Sequence, residues 1–356
     1  AHPSDNIAAV LSAAELMEAS GEDIITAIVL AYEIQCRLCD ASSIRNRGWD
    51  HVTYGSLSAT LGASKVMGLE REELKHAMAI AGTTNINLRQ TRIGELSHWK
   101  GAAFANVSMN AVFASRLAGN GMTGPSHLFE GEKGLIQQVT GPLSLGNFGG
   151  ESGEDFMINK TYIKYWPAEY HSQSAIDAAL QLRDKIGSID NIESILIESF
   201  DVAVDIIGGE EEKWFPKSRE TADHSMPYCV AAALMDGDIW MDSFDEAHLN
   251  NPKLTELIQK IRMARSEECN KGYPKGIPNH LKITLKDGSV VDKMVAYPRG
   301  HAGNPMTDDE VETKFRRLSA PYITKRAQDE ILDSLWNLEQ IDSLDLFEDV
   351  FAPCVV

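Results

Sequence analysis

Side chains able to move protons or grip anions gather in a few short segments of this 356-residue chain: residues 2–6, 50–51, 89–100, 164–173, 219–228 and 297–305. Most have Pro or Gly close by, the usual texture of loops that a rigid scaffold holds in place. His2 stands directly before a helix start, where backbone N–H groups favour anions; its place at the terminus by itself favours a frayed residue. His51 follows Asp50, a pairing that fixes an imidazole tautomer or raises its pKa, or else forms a solvated surface pair. Arg89, Arg92, His98 and Lys100 place positive charge and an imidazole in a polar run between two apolar helices. Arginine grips carboxylates through two parallel bonds, so the run reads either as an anion site or as a solvated face. Residues 164–171, Lys-Tyr-Trp-Pro-Ala-Glu-Tyr-His, combine a lysine, a carboxylate and an imidazole with aromatic rings just before a helix, more polar heads than a structural segment needs. Asp223-His224-Ser225 opens another helix, so Asp223 reads as an N-terminal cap with His224 packed beside it, or as part of a site.

Other chemistries lack their signatures. No H-E-x-x-H, no paired cysteine ligands, no carboxylate array at metal spacing, no Gly-rich strand-to-helix turn and no G-x-S-x-G elbow occurs, so a site working without cofactor or metal is expected. A net charge of −19 disfavours nucleic acid and anionic membranes as partners, but a few local cations still suit a small anionic substrate. The five cysteines have no framework spacing and fit a reducing compartment, the cytoplasm or an organelle matrix such as that of mitochondria. Cys36 and Cys39 fall within one helix, where a structural role is expected. No run of 18 apolar residues and no signal-peptide pattern is present.

The elements that must position these groups are mainly helical. With 43% hydrophobic and 24% charged residues the composition is that of an ordinary globular protein, and the length suggests two domains. Apolar residues at three-to-four spacing predict helices over residues 7–17, with Asp5 as cap and Gly21 past the end, and over 22–39, 71–81 and 99–118. Residues 56–68 are rich in Ala, Ser and Gly, as close helix packing requires. Beyond the Gly-rich stretch 119–153 the pattern changes. Residues 192–200 read as a strand, and Leu281, Ile283 and Leu285 alternate before Asp287-Gly288, a type I′ hairpin signal with a second strand through Val295. Helices are expected at 172–186, 221–235 and 252–263. Helical periodicity returns at 308–318, capped by Thr307, and at 323–338. The predicted fold class is therefore mainly α with an α+β insertion: a helical domain over 1–157, an α+β lid-like domain over 158–304, and a helical return over 305–356.

The motifs His2-Pro3-Ser4-Asp5-Asn6, Tyr32-Glu33-Ile34-Gln35, Trp166 to Gln173, Asp223-His224-Ser225-Met226-Pro227-Tyr228 and Tyr297-Pro298-Arg299-Gly300-His301 together resemble the MmgE/PrpD family, in order and across essentially the whole chain. That resemblance implies a large helical domain built from both chain ends, an inserted lid-like domain, a homodimer, and metal-free proton transfer beside a carboxylate of a small polycarboxylate substrate. The family includes 2-methylcitrate dehydratases, cis-aconitate decarboxylases and an iminodisuccinate epimerase. The form Ala168-Glu169-Tyr170-His171 looks like the dehydratase branch, so a hydro-lyase converting 2-methylcitrate to 2-methyl-aconitate is expected, with a non-catalytic dimeric scaffold as the reading from another class. Carried onto this sequence, the resemblance gives catalytic roles to His2, His51, Lys100 and Lys164. His2 and His51 would form the acid/base pair, and the two lysines would neutralise carboxylates. Arg92, His171 and His224 are expected to orient substrate. Relatives carry further helices before the His-Pro-Ser motif, so an upstream extension of the native protein is expected as well.

Overall fold

The computed structural model describes residues 2–343. The described residues divide into two compact units: 2–93, Ser97–Lys160 and 312–343 form the first, and Gly94–Leu96 with Thr161–Val311 form the second.

The first unit is helical. Its elements are α1 (Ile7–Met17), α2 (Gly21–Ala41), α3 (Val52–Val66), α4 (Arg71–Thr84) and α5 (Trp99–Gly119). Two of these starts are capped by side chains. Ser20 Oγ accepts from Asp23 N at 3.2 Å to cap α2, and Glu70 and Glu73 form a reciprocal capping box on α4. Asp5 does not cap α1, because Pro3–Asn6 already winds a 3-10 turn that runs straight into Ile7. α3 is the central helix, buried along nearly its whole length and packed against α1, α2, α4 and α5. Its small residues make this possible. A Cβ on Gly55 would lie 2.3 Å from the Phe104 ring, and one on Gly62 would lie 2.8 Å from Val10 Cγ2. The C-terminal return belongs to this unit from Glu312 onward, within the helix Asp308–Ser319, whose start Thr307 and Glu310 mark by bonding each other's backbone N–H, and continues in Lys325–Trp336. Gly21 N then donates to Ile341 O at 2.8 Å.

The second unit is α+β. Its sheet has the order β2-β1-β3-β4, with β1 (Ile192–Ser199) parallel to β2 (Ile261–Arg265) and antiparallel to β3 (Asn279–Leu285), which pairs antiparallel with β4 (Val290–Val295). Helices α6 (Gln173–Ile186), α7 (Asp201–Ile207), α8 (Arg219–Ala222) and α9 (Met226–Asp236) contribute to one continuous core with the sheet, built around Ile176, Leu182, Ile195, Phe200, Tyr228 and Leu281.

Three further local expectations change. The helix expected over 252–263 stops at Gln259, and Ile261–Arg265 becomes β2, because Ile261 pairs beside Ile195 in the sheet and tertiary pairing overrides local periodicity. The hairpin after Leu285 is not type I′. Only Gly288 has positive φ (+85°), while Gly288 N and Leu285 N bond to Leu285 O and Ser289 O, the pattern of a longer loop with one left-handed glycine. The helix expected over 221–235 is broken at Asp223–Ser225, where Ser225 adopts extended backbone and caps α9 through Tyr228 N at 3.1 Å. Asp223 is thereby released from capping.

Candidate active-site residues

In the helical unit the pieces meet around one buried carboxylate. Asp50, 2% exposed, precedes α3 and is anchored by its own N–H to Asn87 O at 2.8 Å. Its Oδ1 accepts from His51 Nδ1 at 2.8 Å and from Val52 N at 3.2 Å, and its Oδ2 accepts from Arg92 Nε at 2.6 Å. Burial alone would raise the Asp50 carboxyl, but the His51 bond and charge, Arg92 and the Val52 N–H together hold it well below the usual carboxylate range. An ionised carboxylate only accepts, so His51 must present a proton at Nδ1, and in the neutral ring this leaves the lone pair on Nε2. That Nε2 is buried and has no partner among the described residues. Burial pulls the His51 pKa below the ordinary imidazole value, outweighing Asp50. A neutral imidazole with its tautomer fixed and one unspent lone pair is the composition of a general base.

The His2 ring lies against His51 edge-on, centroids 4.9 Å apart. His2 leads the turn Pro3–Asn6, and Asn6, fully buried, staples that turn: its Nδ2 donates to Pro3 O at 2.9 Å and to Gln35 Oε1, while its Oδ1 accepts from Ser58 Oγ at 2.8 Å. Two motif residues, Asn6 and Gln35, thus serve to place a third. Asn6→Ala is expected to cost about 2–3 kcal/mol, since three buried or part-buried bonds, to Pro3, Gln35 and Ser58, are lost together, and to lower kcat more than it raises KM. Urea unfolding and steady-state kinetics check this; an unchanged kcat would show that the turn holds itself. Lys100 lies in the first turn of α5, which packs against both the Pro3–Asn6 and the Arg89–Arg92 turns. Arg92 spends its Nε on Asp50, so its first role is to position the His51 carboxylate. Glu33 accepts from Gly149 N and Met157 N at 2.7 Å each and from Arg37, tying down the Gly-rich stretch rather than entering this cluster.

The second unit assembles another set. The buried Gln173 side chain accepts from Trp166 N at 3.2 Å and donates to Trp166 O at 3.0 Å and Ala168 O at 3.2 Å, holding the Trp-Pro-Ala bend. Glu169 then caps the turn Tyr170–Ser172, accepting from His171 N at 2.7 Å and His171 Nδ1 at 2.8 Å, while Glu169 N donates to Asp223 O at 2.8 Å. Asp223 bonds His224 Nδ1. Burial would raise the Glu169 carboxyl, but the charges of His171 and His224 and the His171 bonds overcome it and hold the group at about 2. His171 and His224, far apart in sequence, therefore flank one carboxylate. Lys164 is exposed on a strap fastened by Ile163 N to Gly300 O at 3.0 Å. Gly300 has φ +90°, and a Cβ there would fall 1.9 Å from Ile163 O, so no side chain fits. Tyr162 on the same strap stacks on Tyr170 at 5.4 Å and on His301 at 4.1 Å.

The expected residues thus fall into two groups, His2, His51, Arg92 and Lys100 in one unit and Lys164, His171 and His224 in the other. Glu169 and Asp223 were passed over as orienting carboxylates, although each stands within two positions of a histidine in the sequence. His301 was also missed. Its ring is 5% exposed, its Nδ1 accepts from Gly303 N at 2.9 Å, and burial lowers its pKa. Among the described residues no group of three or more His, Cys, Asp or Glu is arranged to hold a metal ion. A cavity of about 410 Å³ in the helical unit, lined by Thr83, Ile86, His127 and Gln138 among others, contains none of these residues.

Fold and site define a two-unit, mainly helical protein in which His51, His171 and His224 are each tied to a carboxylate. Residues 1–146 match the MmgE/PrpD N-terminal domain and residues 166–340 the MmgE/PrpD C-terminal domain, and the chain belongs to that family. It is 29% identical over 322 residues to the mitochondrial 2-methylcitrate dehydratase of Yarrowia lipolytica, covering 84% of this chain and 61% of that protein, less than two thirds of its length. It is 26% identical over 385 residues to the 2-methylcitrate dehydratase of Escherichia coli, covering 98% and 76%. The cis-aconitate decarboxylase of Mus musculus is 25% identical over 370 residues, covering 96% and 71%.

Proposed function

We propose that this chain is a hydro-lyase that dehydrates 2-methylcitrate to 2-methyl-aconitate by general acid/base catalysis without a metal. The observation that carries the reading is His51, neutral, tautomer-fixed by Asp50, with a buried and unspent Nε2. In the proposed reaction His51 Nε2 takes the proton from the carbon next to a substrate carboxylate. The C–O bond breaks, and His2 protonates the departing hydroxyl to water. Lys100 and Lys164 neutralise carboxylates and the enediolate charge that develops as the proton leaves. His171 and His224 orient the substrate, and Arg92 acts through Asp50. Relatives from bacteria and a yeast that bear the dehydratase name support the substrate class.

The mouse relative's name favours a second reading, decarboxylation of cis-aconitate. Incubation with 2-methylcitrate, citrate and cis-aconitate, following ultraviolet absorbance of the unsaturated acid together with CO₂, tests both. Absorbance growth from 2-methylcitrate without CO₂ is the expected result. CO₂ from cis-aconitate supports the second reading, racemisation of an iminodisuccinate an epimerase, and no turnover from a folded dimer a scaffold. The reading includes a homodimer located in the cytoplasm, or in the mitochondrial matrix of a eukaryote.

A further inference from the structure

Asn279 opens β3 and is fully buried. Its Nδ2 donates to His171 O at 3.0 Å and to Ser174 Oγ at 2.7 Å, and Ser174 Oγ donates to Ile277 O. The partners fix the direction of the amide. A backbone carbonyl only accepts, and Ser174, whose proton goes to Ile277 O, can only accept from Asn279. Both amide protons are thereby used, and Oδ1 is left buried with no partner among the described residues. An apolar residue could open the strand without burying an unused oxygen, so the NH₂ group is what this position needs.

These bonds tie the Tyr170–Ser172 turn and the first turn of α6 to the end of the β1–β3 pair, where Asn279 stands opposite Ser199. Phe200 follows Ser199, and its ring stacks on Tyr273 at 4.5 Å. The His171 ring lies tilted against both, 5.4 Å from Phe200 and 6.1 Å from Tyr273, and its Nδ1 is taken by Glu169 at 2.8 Å. His171 is therefore fixed at its ring by Glu169 and two aromatic neighbours and at its backbone by Asn279. Nε2 is the ring nitrogen left for substrate.

We propose that Asn279 is a positioning residue: through His171 O it sets where His171 Nε2 stands, and so how well that atom orients the polycarboxylate. This rests on the hydro-lyase reading for the part His171 plays, while the placement of the ring is measured without substrate.

The test compares N279A and N279S, both too short to reach His171 O, with S174A, which loses the bonds to Ile277 and Asn279 but leaves the one to His171. Measured are kcat, KM for 2-methylcitrate, melting temperature, and the His171 ring resonances in ligand-free protein carrying isotope-labelled histidine, assigned with H171Q. Expected in both Asn279 variants are a KM raised about five-fold or more, kcat changed less than about two-fold, and displaced His171 resonances. S174A, with a comparable drop in melting temperature, is expected to keep a wild-type KM and wild-type His171 resonances. Wild-type resonances or a wild-type KM in both Asn279 variants overturn the proposal. So does an S174A that reproduces their changes, or failure of both Asn279 variants to fold where S174A folds, since either marks Asn279 as structural. If the wild type turns over no tricarboxylate, or H171Q keeps a wild-type KM, the hydro-lyase reading or the part His171 plays in it fails, while the ring resonances still decide whether Asn279 places His171.

Discussion

His51→Gln is expected to lower kcat by roughly 10²–10⁴ with only a modest change in melting temperature. Glutamine can still donate to Asp50 Oδ1, so the buried carboxylate keeps its partners while the Nε2 lone pair disappears. Asp50→Asn separates the tautomer from the ring itself. An amide that turns its NH₂ toward Nδ1 makes Nδ1 the acceptor and moves the proton to Nε2, so a comparable loss is expected with His51 still in place. The pH dependence gives the sign. The base works when neutral, so kcat/KM rises with pH through the His51 pKa, and burial places that limb below the ordinary 6.5. Asp50 opposes the shift, hence D50N is expected to move the limb lower still while reducing the plateau. Profiles of kcat/KM from about pH 4.5 to 8 for the wild type and both variants check this. A wild-type limb at or above 6.5 that H51Q leaves in place would sink the assignment.

Much of this site was legible as segments and little of it as geometry. Asp50-His51 announces its pairing by adjacency, and the structure adds only burial, yet burial is what turns a surface-type pair into a neutral base. Arg92 reads as an anion grip from sequence, because nothing local shows that Asp50, 42 positions away, takes its Nε. The Asp223 cap failed for a related reason: Asp and Ser are both good caps, and the choice fell to Ser225 because its hydroxyl also reaches Lys213 O. Helices α1, α2, α4 and α5 are visible through their periodicity, whereas α3 shows in the sequence only as a run of small residues suited to close packing. Strand β2 was not, since five residues after a helix gain their extended form from pairing with β1, a long-range interaction that no window of sequence contains.

Glu169→Gln carries the second large effect, on stability. In the wild type the carboxyl sits at about 2 against an ordinary 4.5, and its side chain is 13% exposed. A depression of that size corresponds to about 3 kcal/mol of stability. Because the folded value is the lower one, the contribution is complete above about pH 4.5 and is lost as pH falls toward 2. E169Q lacks it throughout. Urea unfolding at neutral pH is therefore expected to find E169Q less stable by about 3 kcal/mol, with the gap closing as the wild type is acidified below about pH 4.5. A gap that stays constant across that range would mean that the loss comes from packing, and that His171 and His224 do not hold the carboxylate ionised. Closure of the gap would also bear on function, because the charge that Glu169 keeps is the one that fixes the His171 ring through Nδ1. E169Q should then weaken substrate orientation even at neutral pH, where folding is no longer in question, and a raised KM in the folded variant is the corresponding kinetic sign.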